Sequence, residues 1–136
     1  RQINFYSIFN NKIRFVDLPG YGYSRASKQE ISQYLSLIEY YLIQRKTLKM
    51  VFVLIDGKVG LKEIDKDFIY WLTYNSINFS FILTKTDKVS QKNLNTVQEN
   101  IQKWAHSEGI FIDPERIRAA CELKSLQNEI HKFIHL

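Results

Sequence analysis

The sequence predicts an α/β fold with a mainly parallel sheet, because apolar runs of strand length alternate with segments that have helical apolar spacing. Two runs carry this prediction, MVFVLID at Met50–Asp56 and FSFILT at Phe79–Thr84. MVFVLID is continuously apolar up to Asp56, which is typical of a parallel strand buried on both faces, and FSFILT is interpreted as another buried strand. The 136 residues suffice for one domain with its own core, so we expect a single domain over residues 1–136.

The N-terminal part is expected to form a hairpin followed by a helix. INFYSIF at residues 3–9 and KIRFVD at residues 12–17 have strand composition, and the Asn-Asn pair between them favours a turn. Ser27 and Glu30 have the spacing of a capping box, which begins a helix. That helix carries apolar residues on one face: Ile31, Leu35, Ile38 and Leu42.

Further helices and a last strand follow the same alternation. One helical stripe lies between the two apolar runs: Ile64, Phe68, Trp71 and Leu72. A second stripe begins after Ser90: Leu94, Val97, Ile101 and Trp104. Asp113-Pro114 then breaks the chain before a weak strand at residues 117–121. The last stripe predicts a closing helix: Leu123, Leu126, Ile130 and Phe133.

Composition limits the classes of protein that this chain can belong to. The only cysteine is Cys121, which excludes an internal disulfide framework and fits a reducing compartment. No apolar run is long enough to span a membrane, so we expect a cytoplasmic protein. The net charge of +5 is consistent with an ordinary solvated surface or with contact to a polyanion such as RNA.

The first polar motif, Asp17-Leu18-Pro19-Gly20, directly follows a predicted strand. Ligands of open parallel sheets bind beyond the carboxyl ends of the strands. An aspartate there can hold a hydrated Mg²⁺ ion, and the N–H of Gly20 can approach a phosphate oxygen closely. By itself the motif is more typical of a plain turn than of a metal site.

The second polar motif comprises Thr84, Lys85, Thr86 and Asp87 and directly follows FSFIL. A carboxylate can accept the two N–H groups that guanine presents along one edge, whereas adenine offers no such pair. The aliphatic stem of Lys85 can lie over the flat base. The alternative is a polar loop that begins the next helix.

Together these motifs resemble the EngB (YihA/YsxC) family of small translation-associated GTPases, in the TrmE-Era-EngA-EngB-septin-like class. The matching segments are INFYSI, KIRFVDLPGYGYSRASK, VFVLIDGKVGLKEIDKDFIYWL and FSFILTKTDKVS, of which DLPGYGY is the most specific. The resemblance covers nearly the whole chain but weakens after about Asn95. It implies a P-loop GTPase-like three-layer sandwich that binds GTP or GDP with Mg²⁺ and assists large ribosomal subunit assembly, normal cell division and septation.

The resemblance also implies roles for individual residues. Asp17 and Gly20 would belong to the switch segment that senses the γ-phosphate and Mg²⁺, with Asp17 as the metal residue. Thr84–Asp87 would form the guanine-specificity loop. Ala120 and Cys121 would occupy the family's last guanine contact, a backbone N–H to the guanine O6. A small buried residue after a strand is the alternative for Cys121.

The aromatic residues after Gly20 have two interpretations. Many GTPases place a glutamine where this chain has Tyr21, to orient the attacking water. We therefore expect slow hydrolysis, raised by a partner or by a group from elsewhere. Tyr21, Tyr23 and Arg25 would face ribosomal RNA and stack on bases, or the tyrosines would pack on the following helix.

One expected part of a GTPase does not occur in these 136 residues: no Gly-x-x-x-x-Gly-Lys-Ser/Thr phosphate loop is present. The resemblance places this loop, a first helix and a central first strand ahead of Arg1. We expect a fragment, a closing-up of the flanking strands or a second chain in the gap, with weak or no GTP binding by the chain as given. The alternative function is a nucleotide-independent module that binds RNA or protein.

Overall fold

The computed structural model describes residues 4–8, 10, 12–17 and 27–119. The chain divides into two units, with the boundary between Leu48 and Lys49. We call the described residues up to Leu48 the hairpin unit and those from Lys49 onward the sheet unit. The described strands accordingly form two separate sheets, one of two strands and one of three.

The hairpin unit begins with two antiparallel strands, β1 (Asn4–Ile8) and β2 (Ile13–Asp17). Their register pairs Asn4 with Asp17 and Ile8 with Ile13, which confirms the predicted hairpin. Asn10 lies in the connection with a positive φ of 55°, a conformation that asparagine adopts more readily than most residues.

Helix α1 (Lys28–Gln44) completes the hairpin unit. Its N-cap is Ser27, whose Oγ accepts a hydrogen bond from the Glu30 N–H at 3.1 Å, as the sequence predicts. Ile38 and Leu42 of the predicted stripe are buried. At the other end of the helix, Arg45 lies over the aromatic ring of Phe5, at 5.7 Å from the ring centroid.

The sheet unit contains three parallel strands in the order β3 (Val51–Asp56), β4 (Phe79–Thr84) and β5 (Ile117–Ala119). The parallel arrangement confirms the predicted α/β fold. Ser80 on the central strand is buried and donates its Oγ–H to the carbonyl oxygen of Arg116 at 2.7 Å, a contact that fastens β4 to the approach to β5.

Helices α2 (Glu63–Tyr74) and α3 (Gln91–Ser107) follow β3 and β4 respectively. Ser90 caps α3 by accepting from the Asn93 N–H at 3.2 Å, and the helix begins directly after Ser90, as the sequence predicts. The largest fully buried side chains of this unit come from both strands and helices: Ile55, Ile69, Leu72, Ser80, Phe81, Leu83 and Ile101. Tyr70 and Trp104 join the two helices edge to face, with 5.6 Å between ring centroids.

Two predictions need comment. The apolar run of β3 is not buried on both faces: Val53 and Ile55 are buried, but Leu54 on the opposite face is 61% exposed. Among the described strands β3 lies at the edge of its sheet and pairs only with β4, and the described residues cover the face of Val53 and Ile55 but leave Leu54 exposed. The predicted closing helix lies outside the described residues.

Candidate binding site at the tips of β3 and β4

The register of the parallel ladder brings two loops together at one edge of the sheet. Asp56, the last residue of β3, lies opposite Thr84, the last residue of β4. The segments that follow, beginning with Gly57 and with Lys85, therefore leave the sheet side by side. In open parallel sheets this carboxyl edge is where ligands bind.

Gly57 brings the two loops into direct backbone contact. Its N–H donates to the carbonyl oxygen of Thr84 at 2.8 Å, beyond the last paired residues of the ladder. A Cβ at this position would lie 2.7 Å from the same oxygen and 3.1 Å from Cδ2 of Leu94, on α3. The close approach therefore requires a residue without a side chain.

The carboxylate of Asp56 is held by three donors. Its Oδ1 accepts from the backbone N–H groups of Lys58 at 2.8 Å and Val59 at 3.2 Å, and its Oδ2 accepts from Nζ of Lys85 at 3.0 Å. The hydrogen bond from Lys85 is the largest of the causes that lower the pKa of Asp56 below its ordinary value of 3.8. Asp56 is therefore ionised at neutral pH.

Lys85 occupies an unusual backbone conformation for a residue with a side chain. Its φ of 57° and ψ of 31° are left-handed, and it immediately precedes a short 3₁₀ turn at Thr86–Lys88. The side chain leaves the tip of β4 and reaches Asp56 at the tip of β3, a contact between residues 29 apart in sequence. Its four methylene groups therefore extend across the junction of the two strands.

Asp87 lies within the 3₁₀ turn, and its side chain is exposed. The turn is closed by the Lys88 N–H donating to the Lys85 carbonyl at 3.2 Å and the Val89 N–H donating to the Thr86 carbonyl at 3.4 Å. Among the residues that the structure describes, no hydrogen-bond donor or cation engages the Asp87 carboxylate. Both of its oxygens are thus open to a ligand that offers two donors.

The arrangement suits a flat ligand with two neighbouring N–H groups. The backbone of the Thr84–Asp87 segment is fixed by Gly57 on one side and by the cap of α3 at Ser90 on the other. The carboxylate of Asp87 provides acceptors on this fixed segment, and the stem of Lys85 provides an apolar surface nearby.

The structure brings together some of the predicted site residues and leaves others undescribed. Thr84, Lys85, Thr86 and Asp87 form one continuous segment at the carboxyl edge, as predicted. Asp17 ends β2, but its side chain is outside the described part of the chain. The predicted candidates that lie wholly outside the described residues are Leu18, Pro19, Gly20, Tyr21, Tyr23, Arg25, Ala120 and Cys121.

The sequence reasoning missed Asp56 and Gly57 as site residues. The signal was present, because Asp56-Gly57 stands at the end of an apolar run, as Asp17 does ahead of Pro19-Gly20 in the sequence. Ala119, the last residue of β5, pairs with Leu83 of β4. The chain therefore leaves β5 close to the same edge of the sheet immediately before Ala120.

Two features do not occur among the described residues. No group of three or more His, Cys, Asp or Glu side chains within residues 4–8, 10, 12–17 and 27–119 could hold a metal ion. Over the same residues, no helix combines the length and the apolar character needed to traverse a lipid bilayer.

Comparison with known proteins identifies relatives over almost the whole chain. A "Probable GTP-binding protein EngB" of Wolbachia pipientis wMel is 63% identical over 133 residues, which are 98% of this chain and 68% of that protein. The protein of the same name from the Wolbachia of Brugia malayi (strain TRS) is 58% identical over the same shares. The one from Anaplasma marginale (strain Florida) is 41% identical over 98% of this chain and 66% of that protein. No protein-family model matches the chain.

Proposed function

The chain belongs to the EngB family, and from this premise we propose that Thr84–Asp87 recognises the base of a guanine nucleotide, GTP or GDP. One observation carries the proposal: the register of β3 and β4 fixes this segment at the carboxyl edge of a parallel sheet with the carboxylate of Asp87 exposed. The names of the relatives support the same class of ligand.

The chemistry of base selection follows from donors and acceptors. The carboxylate of Asp87 accepts the N1–H and one N–H of the exocyclic N2 amino group of guanine in one plane. Adenine has an unprotonated N1 and no amino group at C2, so it would leave the carboxylate without donors. A hydrogen bond to a charged group contributes about 1.5–3 kcal/mol, so the absence of both donors in adenine favours guanine.

The remaining candidate residues extend the proposal to the other parts of the nucleotide. Asp17, at the end of β2, and Gly20 are assigned to the γ-phosphate and Mg²⁺, the hard cation that carboxylate oxygens bind. When bound, Mg²⁺ neutralises phosphate charge. The backbone N–H at Ala120-Cys121 is assigned to the guanine O6, on the strength of the position of Ala119 beside Leu83.

We extend the proposal to the complete protein by family membership. The complete protein is proposed to hydrolyse GTP slowly and to act in the cytoplasm. It is also proposed to assist large ribosomal subunit assembly and normal cell division. The net charge of +5 supports contact with the ribosomal RNA of a large-subunit precursor. Residues 1–136 are proposed to be part of a single GTPase domain.

The test of base recognition is a titration followed by NMR, which also detects weak binding. The ¹⁵N-labelled chain of 136 residues is titrated with GDP and, separately, with ADP up to millimolar concentration. We expect GDP to shift the amide resonances of Thr84–Asp87 and ADP to leave them in place. Equal shifts with both nucleotides, or none with GDP, would contradict the proposal. A nucleotide-independent module would instead show shifts with RNA or a protein partner alone.

A further inference from the structure

We propose that Asp56 is a positioning residue for guanine recognition, one that holds the stem of Lys85 in place before the base arrives. The inference rests on the proposed function, because it assigns a role within the same site. Asp56 lies at the end of β3, beside the recognition segment on β4, and acts on the base only through its contact with Lys85.

Asp56 is itself fixed, which a positioning residue must be. The N–H groups of Lys58 and Val59 bind its Oδ1, and Asp56 terminates a strand whose ladder with β4 is continuous from Val51 to the tip. Only 22% of the Asp56 side chain is exposed. The position of its second oxygen, Oδ2, which accepts from Lys85, is therefore fixed.

Lys85, by contrast, needs a partner to be ordered. Its side chain is 63% exposed, and a lysine side chain loses about 1.5–2 kcal/mol of conformational free energy when it is immobilised. The ion pair with Asp56 at 3.0 Å fixes the far end of the side chain, while the backbone of the 3₁₀ turn fixes the near end. Because the stem is ordered in advance, binding of a base costs less side-chain conformational entropy.

The two ends of the Lys85 side chain thus define where a flat ring can lie. The stem spans from β4 to β3, and Asp87 follows Lys85 by two residues on the same short turn. A base that rests on the stem is then within the reach of the Asp87 carboxylate. When Asp56 is neutral, the stem of Lys85 is free to leave the junction, and the site loses its apolar surface while Asp87 stays in place.

The experiment compares two readouts in four variants of the 136-residue chain. Asp56→Asn keeps an oxygen for Lys58 and Val59 but removes the charge that holds Lys85. Lys85→Met keeps an unbranched apolar stem without the ammonium group, and the double variant combines both changes. Glu63→Gln is the matched control, because it removes an ion pair of 3.1 Å with Lys66 elsewhere in the sheet unit.

The first readout is the order of the Lys85 side chain, measured by ¹³C relaxation of its methylene groups without nucleotide. The second is the dissociation constant for GDP, with ADP as the comparison. Asp56→Asn is expected to free the Lys85 side chain and to weaken GDP binding about three- to fivefold, the scale of a partly exposed ion pair. Glu63→Gln is expected to change neither readout. The double variant is expected to bind GDP as Lys85→Met does, because Asp56 acts only through Lys85.

The outcomes separate this inference from the proposed function. Unchanged Lys85 order in Asp56→Asn, or equal GDP binding by the wild-type chain and Asp56→Asn, would overturn the inference and leave guanine recognition standing. Weaker binding in Asp56→Asn that persists in the Lys85→Met background would also overturn it, because the effect would not pass through Lys85. Absence of any preference for GDP over ADP in the wild-type chain would overturn both.

Discussion

Gly57 and Thr84 join the two loops of the candidate site through a backbone hydrogen bond of 2.8 Å. The same approach leaves no space for a side chain at Gly57, because a Cβ there would lie 2.7 Å from the Thr84 carbonyl oxygen. Since Thr84 begins the proposed base-recognition segment, the position of that segment depends on a glycine in the neighbouring loop.

Gly57→Ala is expected to lower the free energy of unfolding by about 1–3 kcal/mol, the usual cost of overpacking. It should also move the amide resonances of Thr84–Asp87, because the alanine methyl group displaces the Thr84 carbonyl. Urea unfolding and NMR spectra measure the two effects. Gly109→Ala is the control: Gly109 has φ of 69°, and no atom of the described residues lies within 4 Å of the place a Cβ would take, so only left-handed strain of about 1–2 kcal/mol is expected. Unmoved Thr84–Asp87 resonances in Gly57→Ala would contradict the account.

Ser80→Ala tests the contact that fastens β4 to the approach to β5. The Oγ of Ser80 is buried and donates to the Arg116 carbonyl at 2.7 Å, so its removal is expected to cost about 0.5–1.5 kcal/mol of unfolding free energy. Ser107→Ala removes an exposed hydrogen bond of 2.6 Å to the Trp104 carbonyl and should stay within about 0.5 kcal/mol of the wild-type chain. Equal effects of the two substitutions, measured by urea unfolding, would argue against a structural role for Ser80.

Leu83→Ala and Leu54→Ala compare two leucines on neighbouring parallel strands. Leu83 is fully buried, and its truncation is expected to cost about 2–5 kcal/mol of unfolding free energy. Leu54 is 61% exposed, and its truncation is expected to change stability by less than about 0.5 kcal/mol. Thermal unfolding of both variants provides the measurement. A large loss in Leu54→Ala would show that the exposed face of β3 is covered in solution.

The Asp56–Lys85 ion pair should make stability depend on pH in a defined direction. Lys85 and the N–H groups of Lys58 and Val59 lower the pKa of Asp56 in the folded chain. The stabilisation by the Asp56 charge is therefore present above the ordinary pKa of 3.8 and is lost as the pH falls through the lower folded value. At pH 7 the free energy of unfolding of the wild-type chain should be higher than that of Asp56→Asn by up to about 1 kcal/mol. In urea unfolding this difference should disappear in strong acid, and a difference that is independent of pH would contradict the assignment.

Local signals in the sequence predicted much of the fold. Ser27 and Ser90 begin helices because a serine hydroxyl satisfies a free N–H in the first turn, and this depends on neighbouring residues only. The hairpin and the parallel strands follow equally from short patterns. Ile69 is fully buried although it lies outside the predicted stripe, because a helix against a sheet buries a wider face than one row of side chains.

The parts that could not be predicted depend on long-range register. The exposure of Leu54 depends on what covers each face of β3, which the apolar run does not encode. The contact of Lys85 with Asp56 joins residues 29 apart and exists because Asp56 lies opposite Thr84 in the ladder. The motif of Thr84–Asp87 could be found by inspection, whereas its support from Asp56 and Gly57 required the strand pairing.

The most direct test of guanine recognition is the base preference of Asp87→Asn. An asparagine can accept the N1–H of xanthine and donate to its O2, where guanine carries an amino group instead. The measurement is the ratio of the dissociation constants for GDP and xanthosine diphosphate, determined for the wild-type chain and for Asp87→Asn. We expect the wild-type chain to prefer GDP and the variant to prefer the xanthine nucleotide. An unchanged ratio would show that Asp87 does not contact the base.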